Sequence, residues 1–377
     1  MIECQKILFD IPEDITYLNA AYMGPLPIKS ADVGKKAVEQ KLNPWTITAP
    51  DFFSLPSKIY DLSSRLIDAS PDDMAIIPSV SYGIAIAAKN IVVQKGQKIL
   101  VLADQFPSNV YSWRTLAEKT GAVIETVDWP DDGNWTKSFI DKIDENTAVV
   151  ACENAHWTNG TLLDLVAVGK RVREVGAKLV LDMTQTLGVM PFSVKQVDPD
   201  YMICATYKWL LGPYSFGFMY VAPRNHDGNP IEESYLIRKD AENFARLVDY
   251  KDEYEPGARR FDMGEKANFG SAPIAASSLE LFLELGLENI TEYVKSLTDY
   301  VATRANALGL SVVAEEFRAP NLIGIDFVDG VPVHISQALI DNKIFVSIRG
   351  DSIRVAPHIY NDRSDIDKLF SVLERAL

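Results

Sequence analysis

Residues 178–222, KLVLDMTQTLGVMPFSVKQVDPDYMICATYKWLLGPYSFGFMYVA, decide the fold of this chain. Three short apolar runs lie within them, at 178–183, 201–206 and 216–222, and together they favour strands. Runs without a polar face are typical of strands that helices cover on both sides. The segment therefore predicts the centre of a mainly parallel sheet.

The same pattern continues upstream to about residue 74. Four more candidate strands precede the segment, namely MAIIPS (74–79), KILVLA (98–103), AVIETV (122–127) and TAVVACE (147–153). Helical patterns occupy several of the gaps, at 84–92, 110–121 and 165–176. Because strands and helices alternate on this scale, we expect an open α/β domain.

Downstream of the charged stretch 249–260 the pattern changes. The later candidates are a long helical region at 273–308, LSVVAE (310–315), NLIGIDFV (321–328), a helix at 334–342, IFVSIRG (344–350), SIRVAP (352–357) and a last helix at 364–377. They predict a second, smaller α+β domain of about a hundred residues. We place a large α/β domain at 23–255 and the small domain at 256–377, with residues 1–22 packing on one of them.

The composition excludes several classes of function. The chain has 377 residues, with 37 Lys and Arg against 52 Asp and Glu, so its formal charge is −15. Such an acidic chain repels nucleic-acid backbones and anionic membranes. Three scattered cysteines make no disulfide framework, no apolar run is long enough to span a bilayer, and no secretory signal is expected. We therefore expect a cytoplasmic protein with no nucleic-acid or membrane partner.

Several catalytic motifs are missing from the chain. The G-x-x-x-x-G at 212–217 lacks the Lys and Ser/Thr that a phosphate loop needs, and no G-x-G-x-x-G follows a strand. There is no G-x-S-x-G elbow, and the four histidines share no metal-ligand spacing, so no metal site is expected. What remains is chemistry that depends on an organic cofactor or on scattered groups.

Four polar features fall at the ends of predicted strands, where open α/β sheets bind ligands. They are the helix start at 79–83 with Ser81, the carboxylate of Asp182, the amine of Lys208 and the guanidinium of Arg354. Each has an ordinary structural explanation when taken alone: a helix cap, a paired carboxylate, a solvated lysine and a surface ion pair.

Taken together, the four features match what pyridoxal phosphate requires. Lys208 could hold the cofactor's aldehyde as an imine, and Asp182 could keep the ring nitrogen protonated. The free N–H groups of a helix that starts near Ser81 could hold the phosphate. The fork of Arg354 suits a carboxylate ligand.

With these residues in place, the sequence resembles the class V aminotransferase family of fold-type I pyridoxal-phosphate enzymes. The resemblance extends from YLNAAYMGPLP (17–27) to IRVAPHIYN (353–361), and its most specific motifs are LVLDMTQTLG (179–188) and ATYKWLLGPYSFGFMYV (205–221). GARRFDMGE (257–265) adds to it. The resemblance implies a large domain with a mainly parallel central sheet, a smaller α+β C-terminal domain, and a homodimer with active sites at the interface.

The resemblance also implies roles for individual residues. Lys208 matches the Schiff-base lysine, Asp182 the partner of the pyridinium nitrogen, and Arg354 the arginine that grips the substrate α-carboxylate. The remaining implied cofactor contacts are Val80, Ser81 and Tyr207 at the phosphate, Phe106 stacked on the ring, Gln185 and His156 near the phenolic oxygen, and Ser271 or Asn268 reaching a phosphate in the partner subunit. Phe106 lies in QFPSN (105–109), which is similar to a motif of the kynureninase branch.

The resemblance leaves the reaction open. Transamination of an amino acid is our first interpretation, with Lys208 moving the α-proton. The alternative is a lyase that cleaves a C–S or C–C bond, as in selenocysteine lyase or kynureninase; an epimerase or a non-catalytic cofactor-binding homologue ranks lower. Desulfurization through a persulfide is disfavoured, because the segment 341–352 contains no cysteine and Cys204 falls in a predicted core strand.

Overall fold

A seven-stranded sheet forms the centre of the molecule in a computed structural model that describes residues 2–377. The strands of the chain are β1 (Thr16–Tyr17), β2 (Met74–Ile77), β3 (Lys98–Leu102), β4 (Val123–Val127), β5 (Thr147–Glu153), β6 (Lys178–Asp182), β7 (Tyr201–Ala205), β8 (Gly217–Val221), β9 (Ile323–Asp326), β10 (Ile344–Phe345), β11 (Ser347–Arg349) and β12 (Ser352–Val355). The helices are α1 (Ile28–Gln40), α2 (Asp51–Leu66), α3 (Val80–Asn90), α4 (Tyr111–Thr120), α5 (Trp135–Lys142), α6 (Leu165–Val175), α7 (Val194–Val197), α8 (Ala272–Leu285), α9 (Leu287–Ala307), α10 (Val333–Asp341) and α11 (Arg363–Ala376).

The central sheet has the strand order β2-β8-β7-β6-β5-β3-β4. Strands β3 to β7 pair in parallel, and β8 runs antiparallel to both of its neighbours. All seven strands expected between residues 74 and 222 are present, with ends that differ by at most two residues. The expected α/β architecture with a mainly parallel sheet is therefore confirmed.

Alternate side chains of the central strands supply two separate apolar cores. Val180 and Ile203 belong to the core on the face that α3 covers, whereas Leu181 and Met202 belong to the core on the opposite face. Strands buried on both faces have no polar side to leave in water. This explains why residues 178–222 carry apolar runs rather than an alternating pattern.

The small antiparallel sheet has the order β11-β12-β9 and lies in the C-terminal part of the chain. The helical region expected at 273–308 is present, and one run expected beside the small sheet's strands is not a strand. The helical region at 273–308 is two helices, α8 and α9, because Gly286 has a φ of +77° that ends the first of them. The run at 310–315 is not a strand and makes only a single bridge, from Ser311 to Asp326.

The N-terminal segment joins two distant parts of the molecule. Strand β1 pairs in parallel with β10, and the N–H of Ala20 donates to the carbonyl of Ala356. Four residues later, the N–H of Gly24 donates to the carbonyl of Tyr207 at 2.8 Å. A Cβ at Gly24 would collide with the carbonyl oxygen of Lys208, so only glycine allows this approach.

The proposed boundaries after residues 22 and 255 stay predictions. Across residues 2–377, no helix combines the length and the hydropathy that crossing a bilayer would require.

Candidate active site

A cavity of about 320 Å³ opens at the carboxyl ends of the central parallel strands. It is lined by Pro78, Ser79, Val80, Ser81, Phe106, Ser108, Glu153, Trp157, Asp182, Thr184, Gln185, Ala205, Tyr207, Lys208, Tyr214, Ser215 and Phe216. Seven of the residues singled out in the sequence are among them: Val80, Ser81, Phe106, Asp182, Gln185, Tyr207 and Lys208. The cavity lies where a parallel sheet presents the ends of its strands.

Lys208 follows strand β7 and is only 7% exposed. Its Nζ lies 5.3 Å from the ring centroid of Phe106 and 5.7 Å from that of Tyr207. Burial disfavours the charged amine and lowers the pKa of Lys208 to about 8, against the opposing attraction of Asp182. The neutral, nucleophilic fraction of the amine near neutral pH is therefore far larger than that of an ordinary lysine.

Asp182 is the last residue of β6 and is 6% exposed. Its Oδ1 accepts a hydrogen bond from the backbone N–H of Thr184 at 3.0 Å. Burial raises the pKa of Asp182, whereas the hydrogen bonds from Thr184 and the charge of Lys208 act in the opposite direction. A buried carboxylate in this position can stabilise a cationic N–H group that enters the cavity.

Helix α3 begins at the cavity, directly after β2. Ser79 caps it by accepting a hydrogen bond from the N–H of Tyr82 at 3.2 Å, and the hydroxyls of Ser79 and Ser81 are 3.0 Å apart. The N–H groups of Val80 and Ser81 lie in the first turn, where a helix offers them no acceptor. The helix start therefore offers hydroxyl and amide donors to an anion.

Aromatic rings form the walls of the cavity. Phe106 meets Trp157 edge to face, with ring centroids 5.5 Å apart, and Tyr207 meets Tyr214 at 4.8 Å. Burial raises the pKa of Tyr207 to about 12, so its hydroxyl stays protonated and can donate a hydrogen bond. These rings provide flat apolar surfaces for a planar ligand.

Arg354 on β12 is only 1% exposed and does not line the cavity, but it is near enough for its charge to act on Lys208 and Glu153. Its Nη1 donates to the carbonyl of Trp157 at 2.8 Å, and its Nη2 donates to Ser347 Oγ at 3.3 Å. Within residues 2–377, its Nε has no hydrogen-bond partner, and the carboxyl group acting on its charge is that of Glu153. Burial and the nearby Arg349 lower the pKa of Arg354 to about 9. An unpaired buried guanidinium is suited to receive an anionic ligand.

Gln185 reaches the cavity but its amide is already engaged. Its Oε1 accepts from Trp209 Nε1 at 3.0 Å, and its Nε2 donates to the carbonyl of Ala21 at 3.4 Å.

His156 does not line the cavity. Its ring packs against Trp129 and Trp135, with Nε2 hydrogen-bonded to the carbonyl of Ala103 and Nδ1 to Thr158 Oγ1. Burial lowers the pKa of His156 to about 4, so the ring is neutral at neutral pH. Its position gives no support to the expected contact with a cofactor oxygen.

Ser271 and Asn268 also lie outside this cavity. They are hydrogen-bonded to each other, with the N–H of Ser271 donating to Asn268 Oδ1 at 3.0 Å. Their expected role concerns a partner subunit and stays a prediction.

Among the cavity residues that the sequence analysis did not single out, Glu153 and Trp157 matter most for the site. Glu153 ends the apolar strand β5 just as Asp182 ends β6, and the two are paired in register. A carboxylate at the end of so apolar a run was the available signal. Trp157 follows in the next loop, and nothing in its local sequence distinguishes it from a core tryptophan.

The arrangement combines a partly neutral lysine, a buried carboxylate, an anion-binding helix start and an unpaired arginine. Such a set can hold an anionic group at one end, a carboxylate at the other, and move a proton at the lysine amine between them. The aromatic walls favour a planar ligand in the middle.

Comparison with known proteins places the chain among enzymes. The family model described as Aminotransferase class-V matches residues 64–369, which include Asp182, Lys208 and Arg354. A Bacillus subtilis protein described as the uncharacterized aminotransferase YcbU is 28% identical over 305 residues, covering 80% of this chain and 79% of the relative. A Deinococcus radiodurans kynureninase is 28% identical over 302 residues, covering 77% and 71%.

Solved structures support the fold. The apo structure of a cysteine desulfurase from Thermococcus onnurineus NA1 matches with a TM-score of 0.84 and 17% identity, over 100% of this chain and 98% of the other. At this identity the likeness shows the fold alone, which is that of fold-type I enzymes.

Proposed function

This chain belongs to the class-V aminotransferase family of pyridoxal-phosphate-dependent enzymes, and from that membership we propose that it transaminates an amino acid bound between Lys208 and Arg354. One observation carries the proposal. The buried, partly neutral Lys208 shares a cavity with Asp182, near a buried Arg354 whose Nε has no partner among residues 2–377.

The cavity residues fit pyridoxal 5′-phosphate. Asp182 would pair with the ring nitrogen, the α3 start at Val80 and Ser81 would hold the phosphate together with the Tyr207 hydroxyl, and Phe106 would lie on the ring face. Lys208 would bond the aldehyde. When bound, the cofactor supplies a sink for the electron pair that a substrate α-carbon releases.

The chain's own residues then bind the substrate and move its proton. Arg354 would hold the α-carboxylate through its free Nε and its Nη groups, which fixes the direction of the Cα–H bond. Lys208 Nζ would take the α-proton and return it at a neighbouring carbon. Phe106 and Trp157 would exclude water from this transfer.

Capture of the cofactor by the apoprotein should accelerate as the pH rises, with a midpoint near the pKa of Lys208, about 8. The rate rises with pH because only the neutral amine attacks an aldehyde, and burial enlarges the neutral fraction at a given pH. Stopped-flow visible absorbance with pyridoxal phosphate measures the rate. The control is Nα-acetyl-lysine, whose amine has an ordinary pKa near about 10.4, and the idea fails if the protein's rate is still climbing at that pH.

The reaction itself is tested with a panel of amino acids. Purified holoenzyme is incubated with each amino acid, and keto acid is measured with and without an added acceptor. A strict requirement for the acceptor is the expected result and supports transamination. Release of pyruvate or alanine without an acceptor would instead establish a lyase, the alternative favoured by the similarity to a kynureninase.

We also propose a cytoplasmic homodimer with active sites at the interface. Free thiols at Cys4, Cys152 and Cys204 agree with a reducing compartment. Tyr214 is 67% exposed at the cavity and Tyr22 is 56% exposed, which agrees with a partner subunit covering the entrance. Sedimentation analysis of the holoenzyme tests the assembly, and a fully active monomer would exclude it.

A further inference from the structure

The cavity contains a second carboxyl group beside Asp182, that of Glu153. Glu153 ends β5, lies opposite Asp182 in the register of β5 and β6, and is 2% exposed. Both side chains point to the face of the sheet that α3 covers. Ala151 and Val180, two residues earlier in the same strands, belong to the core on that face, and side chains two residues apart in a strand point the same way. Two carboxyl groups of one chain therefore enter one cavity from neighbouring strands.

No fully charged cation forms an ion pair with Glu153 within residues 2–377. Its Oε1 accepts the backbone N–H of Trp157 at 3.2 Å, and His156 Nε2 lies at 3.8 Å but belongs to a ring that is neutral at neutral pH. The charged groups facing it from other elements are Asp182 from β6, Lys208 after β7 and Arg354 from β12.

Burial, and next the charge of Asp182, raise the pKa of Glu153 well above its usual value, whereas the Trp157 N–H, Lys208 and Arg354 oppose the rise. Burial beside a second carboxyl group therefore favours the protonated, neutral form of Glu153. Because Oε1 already accepts a hydrogen bond, Oε2 is the oxygen that can carry the proton and donate it.

The strand order indicates which edge of the cofactor Glu153 faces, given the proposed function. The helix start at Ser81 follows β2, Lys208 follows β7, Asp182 ends β6 and Glu153 ends β5, so Glu153 lies on the far side of Asp182 from the phosphate-binding helix. Pyridoxal phosphate carries its phosphate on one side of the axis from ring nitrogen to aldehyde and its phenolic oxygen on the other. With the nitrogen at Asp182, the aldehyde at Lys208 and the phosphate at Ser81, the phenolic edge faces β5.

We propose that Glu153 is a neutral carboxylic acid that donates a hydrogen bond to the phenolic oxygen of the bound cofactor. Of the two residues expected at that oxygen, His156 is hydrogen-bonded to Ala103 outside the cavity, and Gln185 shares its amide between Trp209 and Ala21, with one Nε2–H left over. A donor there stabilises negative charge on the oxygen and weakens the oxygen's hold on the proton of the adjacent lysine nitrogen. Glu153 therefore lowers the pH at which the visible band of the holoenzyme titrates.

The test compares the pH titration of that band in the wild type, Glu153→Ala and Glu153→Gln holoenzymes. Glu153→Ala should raise the midpoint by about 0.5–1 pH unit, because a hydrogen bond is lost from the charged oxygen. Glu153→Gln should stay closer to the wild type, since its amide still donates. A lower midpoint in Glu153→Ala would mean that Glu153 is ionised, and an unchanged midpoint would mean that it does not touch the oxygen; either result overturns the proposal.

Asp73→Asn provides the matched control. Asp73 is another partly buried carboxyl with a raised pKa, but it precedes β2, at the opposite end of that strand from the cavity. Its substitution should leave the visible titration unchanged. If the wild-type protein does not bind pyridoxal phosphate at all, the proposed function itself is wrong. If the wild type binds the cofactor and Glu153→Ala has the same titration midpoint, only the role of Glu153 is wrong.

Apoprotein provides a second readout that needs no cofactor. A raised folded-state pKa means that the contribution of Glu153 to stability is complete below its unfolded pKa of about 4.3 and is lost as the pH rises toward the folded value. Glu153→Gln lacks this loss. The free energy of unfolding of Glu153→Gln, measured with urea, should therefore increase relative to that of the wild type as the pH rises from about 5 to 8. Parallel plots of the two free energies against pH would contradict a protonated Glu153.

Discussion

Replacing Lys208 with alanine is expected to remove the covalently held cofactor and to lower turnover by at least about 10⁴-fold, because one side chain supplies both the attachment point and the proton carrier. Borohydride treatment followed by denaturation should fix the chromophore to the wild type and leave none on Lys208→Ala. The same variant should fold, since deleting a buried amine removes a group whose charged form burial disfavours.

Two controls make the Lys208 result specific. Lys195→Ala removes an exposed lysine that pairs with Asp68 at the surface, and it should keep both chromophore and turnover. Adding a small primary amine to Lys208→Ala should restore part of the proton transfer. A chromophore still fixed by borohydride in Lys208→Ala would point to another lysine and contradict the assignment.

Replacing Arg354 with lysine or methionine is expected to reduce kcat/KM for the amino acid by about 10²–10³-fold while leaving the visible band in place. The reason is the loss of the bidentate contact with the α-carboxylate that we propose for this buried guanidinium and that a lysine cannot reproduce. Steady-state kinetics should assign most of the loss to KM for the lysine variant, whose positive charge remains.

The Arg354 effect can be separated from general damage by changing the substrate. The wild type should strongly prefer an amino acid over the amine that lacks the carboxylate, and the Arg354 variants should lose that preference. Arg304→Lys serves as the control, because Arg304 on α9 pairs with Asp367 and Glu374 on α11, away from the cavity. Equal preference for the carboxylate in wild type and Arg354→Met would contradict the assignment.

The central sheet could be predicted because strands that are buried on both faces need apolar side chains. Strands β6, β7 and β8 are buried on both faces, so their interior positions are apolar, and the runs stand out without any knowledge of partners. The same logic marked Asp182 and Lys208, since a charged residue at the end of such a run is conspicuous.

The remaining parts of the site depend on contacts that the local sequence does not encode. Glu153 carries the same signal as Asp182, but its significance lies in the pairing of β5 with β6. The motif around His156 predicts a polar contact with a ligand, yet the direction of the ring is set by Trp129 and Trp135. The burial of Arg354 depends on the carbonyl of Trp157, which is 197 residues away in the chain.

The bridging of the two ends of the chain by the N-terminal segment has a consequence for biosynthesis. Thr16 pairs with Ile344 and Ala20 with Ala356, while Gly24 holds the carbonyl of Tyr207. Thr16 and Ala20 thus find their partners only after Ile344 and Ala356 have left the ribosome, and contacts of such long range form slowly. We therefore expect a nascent chain released before Ala356 to leave the Lys208 turn without its N-terminal support, so that cofactor loading is one of the last events in maturation.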